Sequence, residues 1–534
     1  MPTMTGGEAL ARSLYREGVR VIFGLPGVQL YHALDGLAQE PGIRFITTRH
    51  EQATAYMADG YARAGGGIGT AMVVPGPGLQ NASAAIGTAY SASSPVLVVA
   101  GQIQRELIGA DRGMLHEIND QLDTIKPVTK WAHRILDPAE IPAAVHEAFH
   151  QLKTGRPRPV EIEIPPETLE DRADVDLFEP DVYAPEVPSD DRIKEAARMI
   201  AQAKNPLLYA GGGAISSNAS ETLTAFAEFL QSPVLMTAEG KGAVSDRHYL
   251  SLGGMNFRND PYMRRMKDHD VAVLVGTRNA YPGFLTQKVI QIDIDPEEIG
   301  RNYDDTFGLV GDARLTLQKL QAALSEISQP RASRRAEMEA ARAEREESDP
   351  KLEPQNSLTK AIRNAVPDDG IVISGMTQIG YYSRVNYPVY EPRTYLTSSY
   401  YGNLGYAYPV ALGAKVAQPD KAVVAISGDG GFMFASQEMS TAVKYGINAV
   451  VVVFNDSAYG NVLRDQVTRF EGRSIGAELH NPDFMKLADA YGMRGVRVEG
   501  ADPDALESSL KESLEIEAPT LIEVPVSMMP NPFT

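Results

Sequence analysis

Short apolar runs alternate with helix-length amphipathic segments along nearly the whole chain, and that alternation is the pattern of α/β domains built on parallel sheets. In the first third the strand candidates are VRVIFGL, IRFITT, GTAMVV, PVLVVAG and PVEIEIP. The segment 171–190, DRADVDLFEPDVYAPEVPSD, is acidic, carries three prolines and lacks periodicity, so it reads as a linker. A second set of runs, NPLLYAG, SPVLMT, VAVLVG and KVIQIDID, ends near residue 325. The charged stretch QPRASRRAEMEAARAEREESDPKLEPQ then reads as a solvated helix and a loop between domains. From near Ser357 the runs resume with IVISG, TYLTS, AVVAIS, AVVVVF and PTLIEVP. A single core rarely grows beyond roughly 250–300 residues. The expected architecture is therefore three doubly wound α/β domains with parallel sheets, spanning 1–170, 190–325 and 355–534.

Bulk composition removes several function classes. The net charge of −19 argues against nonspecific binding to nucleic acid or to an anionic membrane. With no cysteine, disulfides, thiolate metal sites and a cysteine nucleophile are excluded. No run of about 18 apolar residues appears, so no membrane span is expected. The stretch MPTMTGGEALARSLYREG reads as an amphipathic helix and not an export signal, which makes the cytoplasm the expected location.

One segment carries chemistry on its face: GDGGFMFASQEMSTAVKYGINAVVVVFNDSAYG, Gly428 to Gly460. Two apolar strands each end by placing an aspartate, Asp429 and Asp456, in a loop. Open α/β sheets bind ligands at the carboxyl ends of their strands. Gly430 and Gly431 let the backbone turn and approach a ligand closely. The helix that follows offers unpaired N–H groups, a seat for a diphosphate. Two carboxylates and a backbone carbonyl make a hard oxygen site suited to Mg²⁺, with phosphate oxygens as further ligands. The bland alternative is a pair of solvated turns, since Gly-Asp-Gly is common in loops.

Gly428-Asp429-Gly430 followed by Asn455-Asp456 resembles the diphosphate-binding motif of thiamine diphosphate (ThDP) enzymes. The separation of Asp456 from Asp429 (456 − 429) is the usual one between the two metal-binding side chains of that family. Aligned on Tyr459-Gly460, the resemblance implies Asp429, Asp456 and the backbone oxygen of Ala458 as Mg²⁺ ligands. The family usually carries asparagine where Asp456 stands, and a shift by one residue would give the role to Asn455.

The resemblance extends over nearly the whole chain. TTRHEQATAYMADGYARA is similar to the segment that carries the family's catalytic glutamate, here Glu51. That carboxyl would hydrogen-bond the aminopyrimidine of the cofactor and promote loss of the C2 proton. Its bland alternative is an acid at an exposed helix start. YYGNLGYAYPVALGAKVA resembles the segment whose apolar side chain bends the cofactor; by that match Leu404 is the prop, with Gly402 beside the cofactor. Leucine is more often plain core. GMTQIGYY resembles a loop at the diphosphate, giving Thr377 and Gln378. VVPGPGLQNASAAIGTAYSASSPVLVVAGQ resembles the glycine-rich turn over the pyrimidine, giving Pro75, Gly76, Gly78 and Asn81, with Gly27 from VRVIFGLPG at the same cofactor. GMLHEINDQLDTIKPVTKW resembles a stretch of acetolactate synthases, and places His116 toward the substrate with a catalytic role; a loop histidine is the alternative.

The order of the domains is that of the acetolactate synthase and decarboxylase branch. The resemblance implies a homodimer or homotetramer with each active site between two subunits, and a small 2-oxo acid as substrate. No His-His pair occurs, and Val74-Pro75 stand where benzoylformate decarboxylase has a histidine. Lacking those acid–base groups leans the reading toward a carboligase. A 2-oxo acid decarboxylase or 2-hydroxyacyl lyase is the alternative, and a non-catalytic ThDP-binding protein the third. FAD or another nucleotide in the middle domain is possible but not favoured: GTRNAYPGFL replaces the segment expected for FAD, and Gly211–Gly213 alone reads as a strand-to-helix turn. Asn461, Val462 and Arg464 follow Tyr459 where substrate pockets form in the family; Arg464 is either a carboxylate partner or a solvated helix residue.

Overall fold

A computed structural model describes residues 2–254, 266–278, 285, 287–348 and 351–532. Every apolar run named above forms a strand. β1 (Thr3–Thr5) precedes the first sheet, which holds β2 (Val21–Gly24), β3 (Arg44–Thr47), β4 (Gly69–Val73), β5 (Val96–Gly101), β6 (Trp131–Arg134) and β7 (Val160–Ile164). All pairs are parallel, in the order β3-β2-β4-β5-β7-β6. β8 (Arg172–Asp174) lies within the expected linker and pairs antiparallel with β1.

The middle sheet is built from β9 (Pro206–Ala210), β10 (Val234–Met236), β11 (Val271–Val275), β12 (Lys288–Asp293) and β13 (Thr306–Val310), ordered β10-β9-β11-β12-β13. The third holds β14 (Ile371–Ser374), β15 (Tyr395–Thr397), β16 (Val423–Gly428), β17 (Val450–Asn455), β18 (Arg494–Arg497) and β19 (Thr520–Pro525), ordered β15-β14-β16-β17-β19-β18. The chain thus carries three parallel α/β sheets. The first and third have the same strand order relative to their own sequence.

Within the three parallel sheets, three strands were not legible as apolar runs: β6, β13 and β18. Each is a sheet edge. An edge strand is half solvated and needs few apolar residues, and β18 alternates partly buried with exposed positions as RGVR. The charged stretch after residue 327 forms the helix Arg335–Ser348 as expected, yet it is docked: Met338 and Ala341 are buried, and Arg342 donates to the carbonyls of Asp246 (2.7 Å) and His248 (3.0 Å).

First and third domains meet through two helices, Glu51–Tyr61 and Ala407–Ala417, that share one apolar core with Tyr56, Met57, Tyr406 and Val410. Glycine makes that approach possible. A Cβ on Gly60 would strike the carbonyl of Val410, and one on Gly413 the carbonyl of Met57. At the far end of the first helix, Arg63 joins all three domains. It donates to Thr397 O (2.7 Å) and Tyr406 Oη (2.9 Å) and pairs with Glu239 of the middle domain at 2.6 Å.

Candidate active site

Three helices start at the carboxyl ends of strands in the third sheet: Gln378–Asn386 after β14, Asp429–Met433 after β16 and Gly460–Arg469 after β17. Their preceding residues, Thr377, Gly428 and Tyr459, supply no side-chain cap. The leading N–H groups of each helix therefore lack partners from their own helix. The three starts converge. A Cβ on Gly428 would sit 3.3 Å from Thr377 Oγ1, and one on Gly430 2.6 Å from the Tyr459 ring. A Cβ on Gly460 would strike the Asp456 carboxylate and lie 2.7 Å from the Gln378 amide. These glycines keep the space between the helix starts open, and clustered N–H groups favour an anion there.

Within this cradle Asp429 is 1% exposed. Asn481 Nδ2 donates to Asp429 Oδ2 (2.6 Å) and to Asn455 Oδ1 (2.9 Å). Asn455 itself is turned into the sheet, its Nδ2 donating to Glu523 Oε1 at 2.8 Å. Asp456 instead accepts from the N–H of Ala458 (3.2 Å) and from Gln378 Nε2 (3.1 Å). Burial raises both aspartates above the ordinary carboxylate range. Asp456 is pushed to about 6, by burial first and then by the charge of Asp429. A cation between them removes that repulsion, and an all-oxygen donor set suits Mg²⁺. Among the described residues no group of three or more His, Asp or Glu side chains gathers to hold a metal. Two carboxylates therefore need backbone and phosphate oxygens to complete a shell, which fits a metal-bound diphosphate.

Gln378, expected at the diphosphate, is the first residue of one of these helices. Its side-chain Nε2 serves Asp456, while Oε1 accepts from Arg464 Nη1 (3.0 Å) and from the N–H of Met529 (3.2 Å). Of the two alternatives for Arg464, the solvated helix residue is excluded, and Arg464 lies 3.4 Å from the Asp465 carboxylate. It is 7% exposed, and its guanidinium also bonds the Asn461 side chain. The helix buries it because that side of the helix faces Gln378 and the segment at Met529, which need a donor. Val462 by contrast is 48% exposed.

The first domain gathers a second set of residues. Glu51 opens its helix after His50, whose Nδ1 caps Gln52 N–H at 3.1 Å. Asn81, on the helix Pro77–Ala92, donates from Nδ2 to Glu51 Oε2 at 3.0 Å. A Cβ on Gly78 would lie 3.8 Å from Glu51 Cγ. Gly76 has φ +56°, a conformation glycine adopts freely, and a Cβ there would strike the carbonyl of His116. A Cβ on Gly27 would strike Val74, the residue before Pro75. His116 itself has φ +72° and its Nδ1 lies 2.9 Å from Gln29 Oε1. Gln29 Nε2 donates to Leu115 O at 3.1 Å, so its oxygen faces the histidine and Nδ1 is the protonated nitrogen. Glu51, Asn81, Gly76, Gly27 and His116 thus form one neighbourhood.

The loop at Gly402–Gly405 spans the two domains. Gly402 has φ +65°. Asn403 bonds Tyr56 Oη and the carbonyl of Ala84 (3.3 Å) and accepts from Thr88 Oγ1 at 2.9 Å, all in the first domain. Leu404 stands 3.7 Å from where a Cβ on Gly431 would be, and is half-buried. A further tie was not legible in the sequence: Glu438, fully buried, accepts the N–H of Arg49 (3.0 Å) at the start of the Glu51 helix. Asn481 lies outside the quoted segments and Glu438 lies inside one without an assigned role; the fold brings them to the aspartates and to Arg49.

Between the three domains lies a cavity of about 1080 Å³, bordered by Gly212, Arg156, Glu239, Asp293 and Tyr400. Packing accounts for two of the three adjacent glycines. A Cβ on Gly211 would lie 2.6 Å from the carbonyl of Gly276, and one on Gly213 2.6 Å from its Cα. Of the GTRNAYPGFL segment, residues 279–284 lie outside the described residues.

Three parallel α/β domains, the outer two bearing these two residue sets, define a class of enzyme that works with a diphosphate-bearing cofactor. Residues 4–124 match the description "Thiamine pyrophosphate enzyme, N-terminal TPP binding domain", residues 193–320 its central domain and residues 375–524 its C-terminal TPP binding domain. The chain belongs to the thiamine pyrophosphate enzyme family, in its acetolactate synthase group. It is 34% identical to a probable acetolactate synthase large subunit of Methanocaldococcus jannaschii, over 98% of this chain and 92% of that one. It is 35% identical to a probable 2-ketoarginine decarboxylase of Pseudomonas aeruginosa, over 98% and 94%. With acetolactate synthase isozyme 3 large subunit of Escherichia coli the identity is 33%, over 96% and 93%. No helix among the described residues is long and apolar enough to cross a membrane.

Proposed function

We propose that this ThDP-dependent enzyme uses Mg²⁺ to make carbon–carbon bonds from 2-oxo acids, as an acetolactate synthase-like carboligase. The observation that carries the proposal is the pair of a buried Asp429 and a half-buried Asp456, set among three uncapped helix starts. In this reading Asp429, Asp456 and the Ala458 carbonyl hold the metal, and the N–H groups after Thr377, Gly428 and Tyr459 take the phosphate charge. When bound, ThDP supplies a carbon acid that adds to a 2-oxo acid and accepts the electrons released with CO₂.

The chain's own residues orient and move protons. Asn81 fixes one oxygen of Glu51, and Glu51 exchanges a proton at the aminopyrimidine ring. Leu404, next to Asn403 whose side chain is tied to the first domain, shapes the space above Gly431 and would pack against ThDP there. His116, with Nδ1 protonated toward Gln29, presents Nε2 as an acceptor to the substrate. Each site is completed by a second copy of the chain, one supplying Glu51 and the other Asp429, in a homodimer or a pair of them acting in the cytoplasm.

A decarboxylase is the second reading, and the likeness to a protein named as a 2-ketoarginine decarboxylase favours it. Supplying pyruvate with ThDP and Mg²⁺ and analysing CO₂ and products separates the two. CO₂ with acetolactate is the expected result. CO₂ with acetaldehyde replaces the carboligase by the decarboxylase, and an inert bound cofactor moves the search to bulkier 2-oxo acids such as a guanidino 2-oxo acid.

A further inference from the structure

PVEIEIP puts two glutamates inside a sheet. In β7 Glu161 and Glu163 alternate with Val160, Ile162 and Ile164, and all five are buried. A buried carboxylate is costly unless it is hydrogen-bonded. Glu163 is well served: Arg134 Nε and Gln102 Nε2 (3.1 Å) donate to Oε1, and Gln121 Nε2 donates to Oε2 at 2.8 Å. Glu161 accepts nothing, and burial together with the nearby Glu163 pushes it well above the usual carboxylate range, whereas Glu163 also faces the Arg134 guanidinium.

Gln121 links Glu163 to the glycine-rich turn. The side chain is buried, at 1% exposure. Nε2 donates both to Glu163 Oε2 and to the carbonyl of Gly101 (2.9 Å), which uses both amide protons and fixes the orientation of the group. Oε1 then accepts the N–H of Gly76 at 2.8 Å. Gly76 stands between Pro75 and Pro77, neither of which has an N–H. Its N–H is therefore the one backbone donor of those three residues, and Gln121 holds it. The turn is otherwise closed by Gly78 N–H to Pro75 O (3.3 Å) and Gln80 N–H to Gly76 O (3.0 Å). On one side Gly76 abuts the carbonyl of His116; on the other Gly78 abuts Glu51.

We propose that Gln121 is a positioning residue for the reaction: anchored on Glu163, it holds the Pro75–Gly78 turn and so fixes where His116 and the Glu51–Asn81 pair stand relative to one another. The assignment of roles to Glu51 and His116 rests on the function proposed above; the hold on the turn does not.

Two variants of the full-length protein test it. Gln121→Ala without cofactor should raise hydrogen exchange of the peptides covering 74–82 and 112–118 by about 10-fold, with peptides of the third domain unchanged. With ThDP, Mg²⁺ and the accepted 2-oxo acid, kcat should fall about 10- to 100-fold while KM stays within about 3-fold. In Gln121→Glu the introduced carboxyl must be protonated to donate to Glu163; the other charged or titratable groups around it are Glu161, Arg134 and Asp120. Its kcat should approach wild type at acidic pH and fall as pH rises, a limb the wild type lacks. Unchanged exchange at 74–82 in Gln121→Ala overturns the proposal even if the enzyme turns over 2-oxo acids. So does a Gln121→Glu variant as impaired as Gln121→Ala at every pH. A wild-type chain inert to every 2-oxo acid, with the exchange result as expected, overturns the proposed function and leaves the hold of Gln121 on the turn standing.

Discussion

The first and third sheets have one topology and two chemistries. Both run parallel with their strands in the same order, and both place candidate residues past the carboxyl ends of their strands. In the third domain β16 and β17 deliver two aspartates among open helix starts. In the first domain the corresponding positions, after β4 and β5, carry the Pro75–Gly76 turn and Gln102. The acid there comes instead from the helix after β3, at Glu51. The same scaffold thus builds a charge-binding site in one copy and a proton-handling site in the other. Which residues end the strands, not the fold, decides the difference.

Substitutions can break this comparison. The largest effect is expected from Glu51→Gln, which should lower kcat by roughly 10²- to 10⁴-fold while ThDP affinity, read by calorimetry, stays within a few-fold. Affinity lost along with activity would show that Glu51 belongs to the binding half. Next, Asp429→Ala should weaken ThDP and Mg²⁺ binding together by at least about 100-fold; unchanged titrations would remove the metal assignment. Gly413→Ala attacks the joint between the domains. Its methyl meets the Met57 carbonyl and should cost about 1–3 kcal/mol of stability, measured by chemical denaturation.

Smaller and more specific is the pH dependence of the tie at Glu438. Burial raises this carboxyl from 4.5 to about 7, against the hydrogen bonds from Thr441, Arg49 and His50 that lower it; the charge of Arg49 lowers it further, and Tyr408 is its other titratable neighbour. The fold favours the protonated form. Its contribution to stability is therefore complete below pH 4.5 and is lost as pH rises through about 7. Glu438→Gln should flatten that part of the stability profile; an unaltered profile would sever the link between Glu438 and the domain joint. Smallest of all, Asp456→Asn should keep Mg²⁺ and ThDP within about 10-fold, because an amide oxygen still serves the cation and the repulsion with Asp429 is gone.

Both sheets were legible in the sequence wherever a strand is buried on two faces. VVAIS and VVVVF have no other use for so many β-branched residues in a row. RGVR and WAHR, at the edges, carry no such signature. Likewise Asp429, Asp456 and Glu51 stood out because strand ends and motif neighbours frame them. Gln121, Asn481 and Glu438 did not. Each is defined by a partner far along the chain, Glu163 and Gly76, Asp429, or Arg49, and no local pattern announces a hydrogen bond across such distances. Arg464 stayed open between two readings for the same reason: its partners Gln378 and Asn461 include one from another helix.

The central claim is that the first domain of one chain and the third domain of another supply the two halves of each active site. Mixing the two inactive proteins tests it directly. Glu51→Gln and Asp429→Ala chains, co-expressed or refolded together, form hybrid dimers in which one of the two sites is free of both substitutions. Random pairing then predicts recovery to about a quarter of the wild-type rate. If each site is built within a single chain, every site in the mixture keeps one lesion, and no activity above that of the separate variants returns.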